Sequence, residues 1–457
     1  VSAGRSAAGP IPSVRPAFRD ANVLRWLLGY GTGLLGDQVY YVTLSWTAVQ
    51  IATPTQVGLI LAAGAVPRAA LLIVGGAVAD RYGAKRTALL SDAARVLVMA
   101  AVTLVVLADA PSIALLVGLT IVFGVIDALF LPAAGALPPR IVSPTELARV
   151  QSMRSLLQRM ALVGGPPLAG FLVAQHGVVV AFGATVLLFA VSVAALAATR
   201  LLVPAGASSS PGAHAHAEAR AGADAGAGVE PTDAPASPRD GPVVPPGDGS
   251  ARAARPGLLA DTLEGLRYVA GHRLLLPMLV VVAIAEIAIA GPLNTGLPLL
   301  SSSQGWGAAG VGWILAGFGA GATATALTIT IVGRVPHAGR ISLVAVMVMG
   351  PSLGAIGASS TLGGAVVAAG VAGLGSGVCA TLLSTFVLTS SDPAQLGRVM
   401  GLMSFASFGG APIAYAVTGV LADLTSAGTT FVVSGVAVTL VGAAALFDAR
   451  LRTAELP

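Results

Sequence analysis

The sequence predicts an all-α polytopic membrane protein with twelve transmembrane helices in two six-helix, pseudo-symmetric bundles. Three observations predict it. First, 55% of the 457 residues are hydrophobic and only 10% are charged, with a mean hydropathy of +0.86. A soluble domain carries about a quarter charged residues. Second, apolar runs of about 20 residues recur along the chain, the length that crosses a hydrocarbon core of about 30 Å. The ten-residue alternation of a membrane β-barrel is not seen. Third, the basic residues gather in every second loop.

Apolar runs set against charged, Pro and Gly breaks place spans at 24–50, 57–79, 87–108, 113–136, 156–175, 178–199, 274–300, 308–333, 341–358, 363–389, 399–422 and 429–447. The loops near 52–56, 109–112, 301–307, 359–362 and 423–428 contain no Lys or Arg, the turn near 176 has only His176, and the loops that alternate with these carry the basic residues. The positive-inside rule then puts both termini in the cytoplasm of a multi-pass plasma (cytoplasmic) membrane protein, as an even number of spans requires. Residues 1–23 read as a cytoplasmic tail without a cleavable signal peptide. Residues 24–203 form the first bundle, 257–448 the second, and 449–457 a second tail. Between the bundles, 204–256 is Ala, Gly, Pro and Ser with scattered charges. That composition cannot bury a core and reads as a disordered cytoplasmic linker.

Several classes are disfavoured early. Cys379 is the only cysteine, so no disulfide framework or CxxC metal site is available. His214 and His216 sit in the flexible tract without further ligands, and no metal or cofactor is expected. The net charge of +5 lies in loop ends rather than one patch, so nucleic acid is not an expected partner. No P-loop or HExxH occurs, which argues against ATP drive from this chain and disfavours an intramembrane enzyme.

The two halves resemble one another. "VGLILAAGAVPRAALLIVGGAVADRYGAKR" (57–86) aligns without gaps to "VGWILAGFGAGATATALTITIVGRVPHAGR" (311–340), and "SPTELARV" (143–150) matches "DPAQLGRV" (392–399). Duplicated six-helix units are a signature of secondary transporters, with the substrate site between the halves.

The stretch "GGAVADRYGAKRT" (75–87) crowds Asp80, Arg81, Lys85 and Arg86 into about two helical turns and includes Lys85, the only lysine among 25 basic residues. Gly75 and Gly76 are expected to end the second span and let a neighbour approach closely. A basic turn that merely fixes topology would account for the charges. The spacing Gly76-x-x-x-Asp80-Arg81-x-Gly83-x-Lys85-Arg86, however, resembles the cytoplasmic signature loop of the major facilitator superfamily. The resemblance implies that Asp80 locks the cytoplasmic side shut against the start of the eleventh helix, near Arg398, where a helix N-terminus stabilises a carboxylate. The matching site in the second half, "GRVPHAGR", lacks the aspartate. In the fifth span, Gly165-Pro166-x-x-x-Gly170 resembles the kink motif of exporter-type members, although a plain kinked helix would read the same. "GLLGDQVYYVTLSW" (33–46) and "GVIDALFLPAAGALPPRIVSP" (124–144) are similar to the branch that contains the enterobactin exporter and related drug-efflux proteins. Many drug–proton antiporters carry an arginine in the fourth helix. Here that helix carries Asp127.

Ionisable groups inside spans cost several kcal/mol unless paired or wetted, which makes them functional candidates. Asp37 and Arg68 lie midway along the first two spans at similar depth, so an Asp37–Arg68 pair is expected, either to pin two helices or to couple transport to protons. Burial raises a carboxyl pKa and a nearby cation lowers it, so a carboxylate alternating between such environments can take up and release protons. Asp37 is the first candidate, Glu286 in the seventh span the second, and Asp127 a third that reaches toward cytoplasmic water. Asp92 and Arg95 read as a local structural pair near the end of the third span. In "EIAIAGPLNTGLPLL" (286–300), Gly291, Pro292, Gly296 and Pro298 are expected to break the helix beside Asn294, as is tolerated where backbone lines a cavity. Gln38, Tyr41, Trp46 and Asn294 are the candidate cavity residues, with Trp46 equally an interfacial anchor.

The resulting expectation is a secondary active transporter without cofactor. It would be a proton-coupled exporter of an amphipathic small molecule (a drug, siderophore or secondary metabolite) working by alternating access, functional as a monomer in the lipid bilayer. An importer of a nutrient or lipid is the alternative on the same fold. A non-transporting membrane receptor or scaffold is the alternative of another class.

Overall fold

The computed structural model describes residues 17–201, 267, 271, 275–333, 336–390 and 409–447. The 204–256 linker, Arg398, residues 1–16 and the 449–457 tail lie outside the described residues. Among the described residues there are helices and no strands. They are α1 Ala21–Ile51, α2 Pro54–Tyr82, α3 Ala84–Ala108, α4 Ile113–Gly135, the one-turn α5 Pro138–Ile141, α6 Pro144–Ala198, α7 Leu275–Gly291, α8 Leu297–Ser303, α9 Gly307–Val332, α10 Ala338–Ala358, α11 Leu362–Ser390, α12 Ala411–Leu424 and α13 Ala427–Phe447.

Local chemistry sets most of these boundaries. α1 starts three residues before the expected span because Asp20 caps it, accepting from Asn22 N at 2.8 Å. α2 opens with a capping box, Thr53 with Gln56, and Pro54 at the first helical position. It runs past Gly75 and Gly76 to Tyr82, so those two glycines do not end the span as expected. Gly83, at φ 92°, ends α2 and begins α3. α6 is 55 residues long, and Gly177, with φ 81° and ψ 173°, breaks its helical geometry. That break falls between the expected fifth and sixth spans. The seventh span is not broken at its glycines and prolines. Instead it widens into a π-helical turn at Pro292–Gly296 between α7 and α8, a feature common at functional sites.

Nine helical stretches among the described residues are long and apolar enough to cross a membrane, one of them, Leu279–Ser303, running from α7 through the π-turn into α8. α1 and α12 fall outside that set, and α6 counts once in it despite the break at Gly177. The outside of the bundle is apolar. Leu90, Leu97 and Leu104 of α3, seven residues apart, are 71%, 71% and 66% exposed. Such a leucine stripe suits a helix face turned to lipid rather than to water.

Each half repeats one packing scheme. In the first, α1 packs on α6, α2 on α4, and α3 on α4 and α6. In the second, α7 packs on α12 and α13, α9 on α11, and α10 on α11 and α13. Two seams join the halves: α2 against α12 and α6 against α9. Both are built on small residues. A Cβ added at Gly170 would fall 2.6 Å from the Ala308 carbonyl oxygen, and one at Gly312 would fall 2.5 Å from that of Pro166. Gly165 admits Gln38 of α1. The Gly165-Pro166-x-x-x-Gly170 motif therefore sits where the halves touch. Gly75 likewise lets α2 close on Ala128 of α4, whereas Gly76 faces open space, so only Gly75 serves close helix approach.

Candidate functional site

A charge cluster occupies the middle of the first half. Arg95, the twelfth residue of the 25-residue α3, lies about 17 Å along the helix from its start, at mid-depth rather than near an end. Its side chain is fully buried. Nη1 donates to Asp92 Oδ1 at 3.0 Å. Nη2 donates to Asp127 Oδ1 and lies 3.6 Å from Asp37 Oδ1. The rings of Phe130, Phe189 and Phe123 surround the guanidinium, with centroids 4.1, 5.2 and 5.4 Å from its central carbon, in the range of cation–π attraction.

Two of the expected pairings are corrected. Arg68 does not pair with Asp37. Its Nη1 donates to the Tyr41 hydroxyl at 2.9 Å and lies 3.9 Å from Asp127 Oδ2. Tyr41 in turn donates to Asp127 Oδ2 at 2.8 Å. The Asp92–Arg95 pair is not a local detail, because Arg95 binds three carboxylates from α1, α3 and α4. Asp127 does not reach water; it is 3% exposed. The arginine missing from the fourth span is thus replaced by one that α3 extends onto it. Depth decides these contacts together with the direction each side chain faces, and only the first can be counted along the sequence. A signal for Arg95 is present in the sequence: counted from Gly83, it is central.

Ser192 of α6 closes the network, with its hydroxyl 2.5 Å from Asp92 Oδ2 and 2.8 Å from the Gly29 carbonyl oxygen. Three carboxylates face two guanidiniums here. With every group ionised the cluster carries one negative charge, and a single proton makes it neutral. Asp37 is the most accessible of the three acids, with its side chain 17% exposed against 1% for Asp92 and 4% for Asp127. Its Oδ1 accepts no hydrogen bond among the described residues.

Beside the cluster, a cavity of about 300 Å³ lies between the halves. The first half contributes Tyr40, Tyr41, Arg68 and Phe123, and the second Glu286, Asn294, Phe318 and Tyr415. The site is mainly apolar and aromatic with few polar groups, as small-molecule pockets are. Arg68 and Tyr41 belong to both cavity and charge cluster, so a molecule in the cavity touches groups hydrogen-bonded to Asp127. Glu286 has no hydrogen bond or ion pair among the described residues. Asn294, in the π-turn, donates to the Ala290 carbonyl at 2.9 Å. The other two expected cavity residues lie elsewhere. Gln38 packs into the space at Gly165, and Trp46 packs on the cluster of Val173, Ala181 and Ala308. Phe318 and Tyr415 escape sequence reasoning, since nothing in an apolar helix distinguishes an aromatic residue on its cavity face.

The 75–87 stretch lies wholly within the described residues, running from the end of α2 through Gly83 into α3. Lys85 Nζ reaches the end of α6, donating to the carbonyls of Ala197 at 3.0 Å and Thr199 at 2.6 Å. A cation there satisfies the free carbonyls of a helix C-terminus. Arg81 lies over the Tyr82 ring, Asp80 and Arg86 are exposed, and the expected partner Arg398 is outside the described residues.

The sequence profile of the Major Facilitator Superfamily matches residues 26–359. A curated relative, the multidrug efflux pump Tap of Mycolicibacterium fortuitum, is 23% identical over 430 residues, covering 92% of this chain and 94% of Tap. Among solved structures, the nucleoside transporter NupG superimposes with a TM-score of 0.64 at 14% identity, over 93% of this chain and 98% of NupG. A POT family transporter in complex with 5-aminolevulinic acid gives 0.65 at 10% identity, over 93% of this chain and 96% of that one. At these identities the solved structures speak for the fold. With the repeated halves, the two seams and the central cavity, the profile match places this chain in the major facilitator superfamily, to which it belongs.

Proposed function

We propose that this chain exports an amphipathic organic cation in exchange for protons, as a twelve-span monomer with both termini in the cytoplasm. The observation that carries this reading is the shared cavity. Glu286 meets it with a carboxylate that has no partner among the described residues, while Arg68 is already hydrogen-bonded to Tyr41 and ion-paired with Asp127. The charge left for a ligand is therefore negative, and the aromatic lining suits an apolar body. Asp37 is the proton site, since one proton there neutralises the cluster. Protonation loosens its hold on Arg95, and Arg95, Asp127, Tyr41 and Arg68 relay the change to the cavity. Rocking of the halves about the α2–α12 and α6–α9 seams exposes the cavity to each side in turn. Similarity to Tap favours export over uptake. Asp80 is assigned to the lock on the cytoplasmic face.

Accumulation of a fluorescent lipophilic cation in efflux-deficient cells tests this. Expression of the chain is expected to lower accumulation, a protonophore to abolish that effect, and Asp37→Asn or Glu286→Gln to remove it. Unchanged accumulation despite verified membrane insertion would contradict cation export. Raised accumulation would establish uptake instead.

A further inference from the structure

α12 ends with a carboxylate in the wrong place for its own helix. Asp423 is the penultimate residue of Ala411–Leu424, where the carbonyl end of the helix dipole repels an anion. Its partner lies 368 residues away in the other half. Thr55 Oγ1, on the second residue of α2, donates to Asp423 Oδ2 at 2.6 Å. The carboxylate thus sits at the positive end of α2, whose dipole offsets the penalty from α12. The backbones meet just below. A Cβ at Gly58 would fall 2.5 Å from the Tyr415 carbonyl oxygen, and one at Gly419 would fall 2.6 Å from that of Pro54. This contact is on the face opposite the Asp80 loop, because α2 starts here and ends there.

We propose that Asp423 and the first turn of α2 form a latch that holds this face closed and opens when the halves rock. Asp423 is then a gating residue for transport that touches neither the cavity nor the charge cluster. Asp80, in the last turn of α2, holds the equivalent place on the opposite face.

The inference rests on alternating access, and its test needs no transported molecule, so failure of the latch is told apart from failure of the transport reading. Ser45 of α1 lines the cavity; in the full chain with Cys379→Ser, a Ser45→Cys reporter is labelled by a membrane-impermeant maleimide, in whole cells and in inverted vesicles. An Ala110→Cys marker, in the loop after α3, identifies which preparation exposes the Asp423 face. Asp423→Asn is expected to raise labelling from that face about threefold, as the loss of one exposed charge–dipole contact allows, and to lower it from the Asp80 face. Thr55→Val should act in the same direction, and Asp423→Glu should stay near the parent. An oxidised Thr55→Cys/Asp423→Cys pair should block labelling from the Asp423 face until reduced. Unchanged labelling in both single variants, a rise from both faces together, or labelling that persists through the cross-link would each overturn the latch.

Discussion

Removing Arg95 is the sharpest test of the charge cluster. Its guanidinium is fully buried and holds carboxylates from three helices: Asp92 at 3.0 Å, Asp37 at 3.6 Å and Asp127 in direct hydrogen bond. Arg95→Met changes the net charge of the cluster from one negative to two and leaves Asp92 without its arginine. Breaking a buried pair by removing one partner costs about 3–5 kcal/mol. At about 1.4 kcal/mol per power of ten, the folded fraction falls by roughly two to three and a half powers of ten. Arg95→Lys should also lose most of this, because one ammonium cannot span Asp92 and Asp127 as the two Nη atoms do. The double variant Arg95→Met/Asp127→Asn returns the cluster to its native net charge and should be more stable than Arg95→Met alone, a non-additivity expected of direct neighbours. The assay is the temperature at which the monodisperse peak of detergent-solubilised protein is lost. Arg95→Met at the parental temperature, or a double variant that merely adds the losses of the two singles, would refute the account of the cluster.

Two further substitutions probe the links to this centre. Tyr41→Phe removes the hydroxyl that receives Arg68 at 2.9 Å and binds Asp127 at 2.8 Å. Hydrogen bonds to charged groups contribute about 1.5–3 kcal/mol, so thermal stability should drop measurably, and substrate-induced proton release should slow more than substrate binding weakens. Lys85→Ala removes the cap on α6 and should cost about 1 kcal/mol, read as a lower melting temperature with cation affinity unchanged. Lys85→Arg should recover most of that loss.

The parts of this molecule that were legible in the sequence are those governed by one dimension. Span length against membrane thickness, loop charge and the repeat of 57–86 at 311–340 placed most of the described helix ends within a few residues, the start of α6 at Pro144, twelve residues before the expected 156, being an exception, and foretold the paired packing of the two halves. The turn near 176 appeared as the break at Gly177. The depth of Glu286 and Arg68 along their helices could be counted in the same way. What failed needed a second coordinate, the rotation of each helix about its axis. Asp37 and Arg68 match in depth, yet Asp37 turns to Arg95 on α3 while Arg68 turns to Tyr41 and Asp127. Gln38, one residue and about 100° further round than Asp37, packs at the α6 seam instead of the cavity. The prolines of the seventh span suggested a broken helix, but a π-turn absorbed them, because a wider turn tolerates the missing donor without exposing backbone.

The measurement that bears most directly on the central claim is transport in proteoliposomes holding only this protein and an imposed pH gradient. A fluorescent lipophilic cation should move against its own gradient while protons move the other way. Asp37→Asn should abolish the proton flux yet leave cation binding intact, and Glu286→Gln should abolish the binding. Cation movement that ignores the pH gradient, or that survives unchanged in both variants, would contradict proton exchange through the Asp37 cluster.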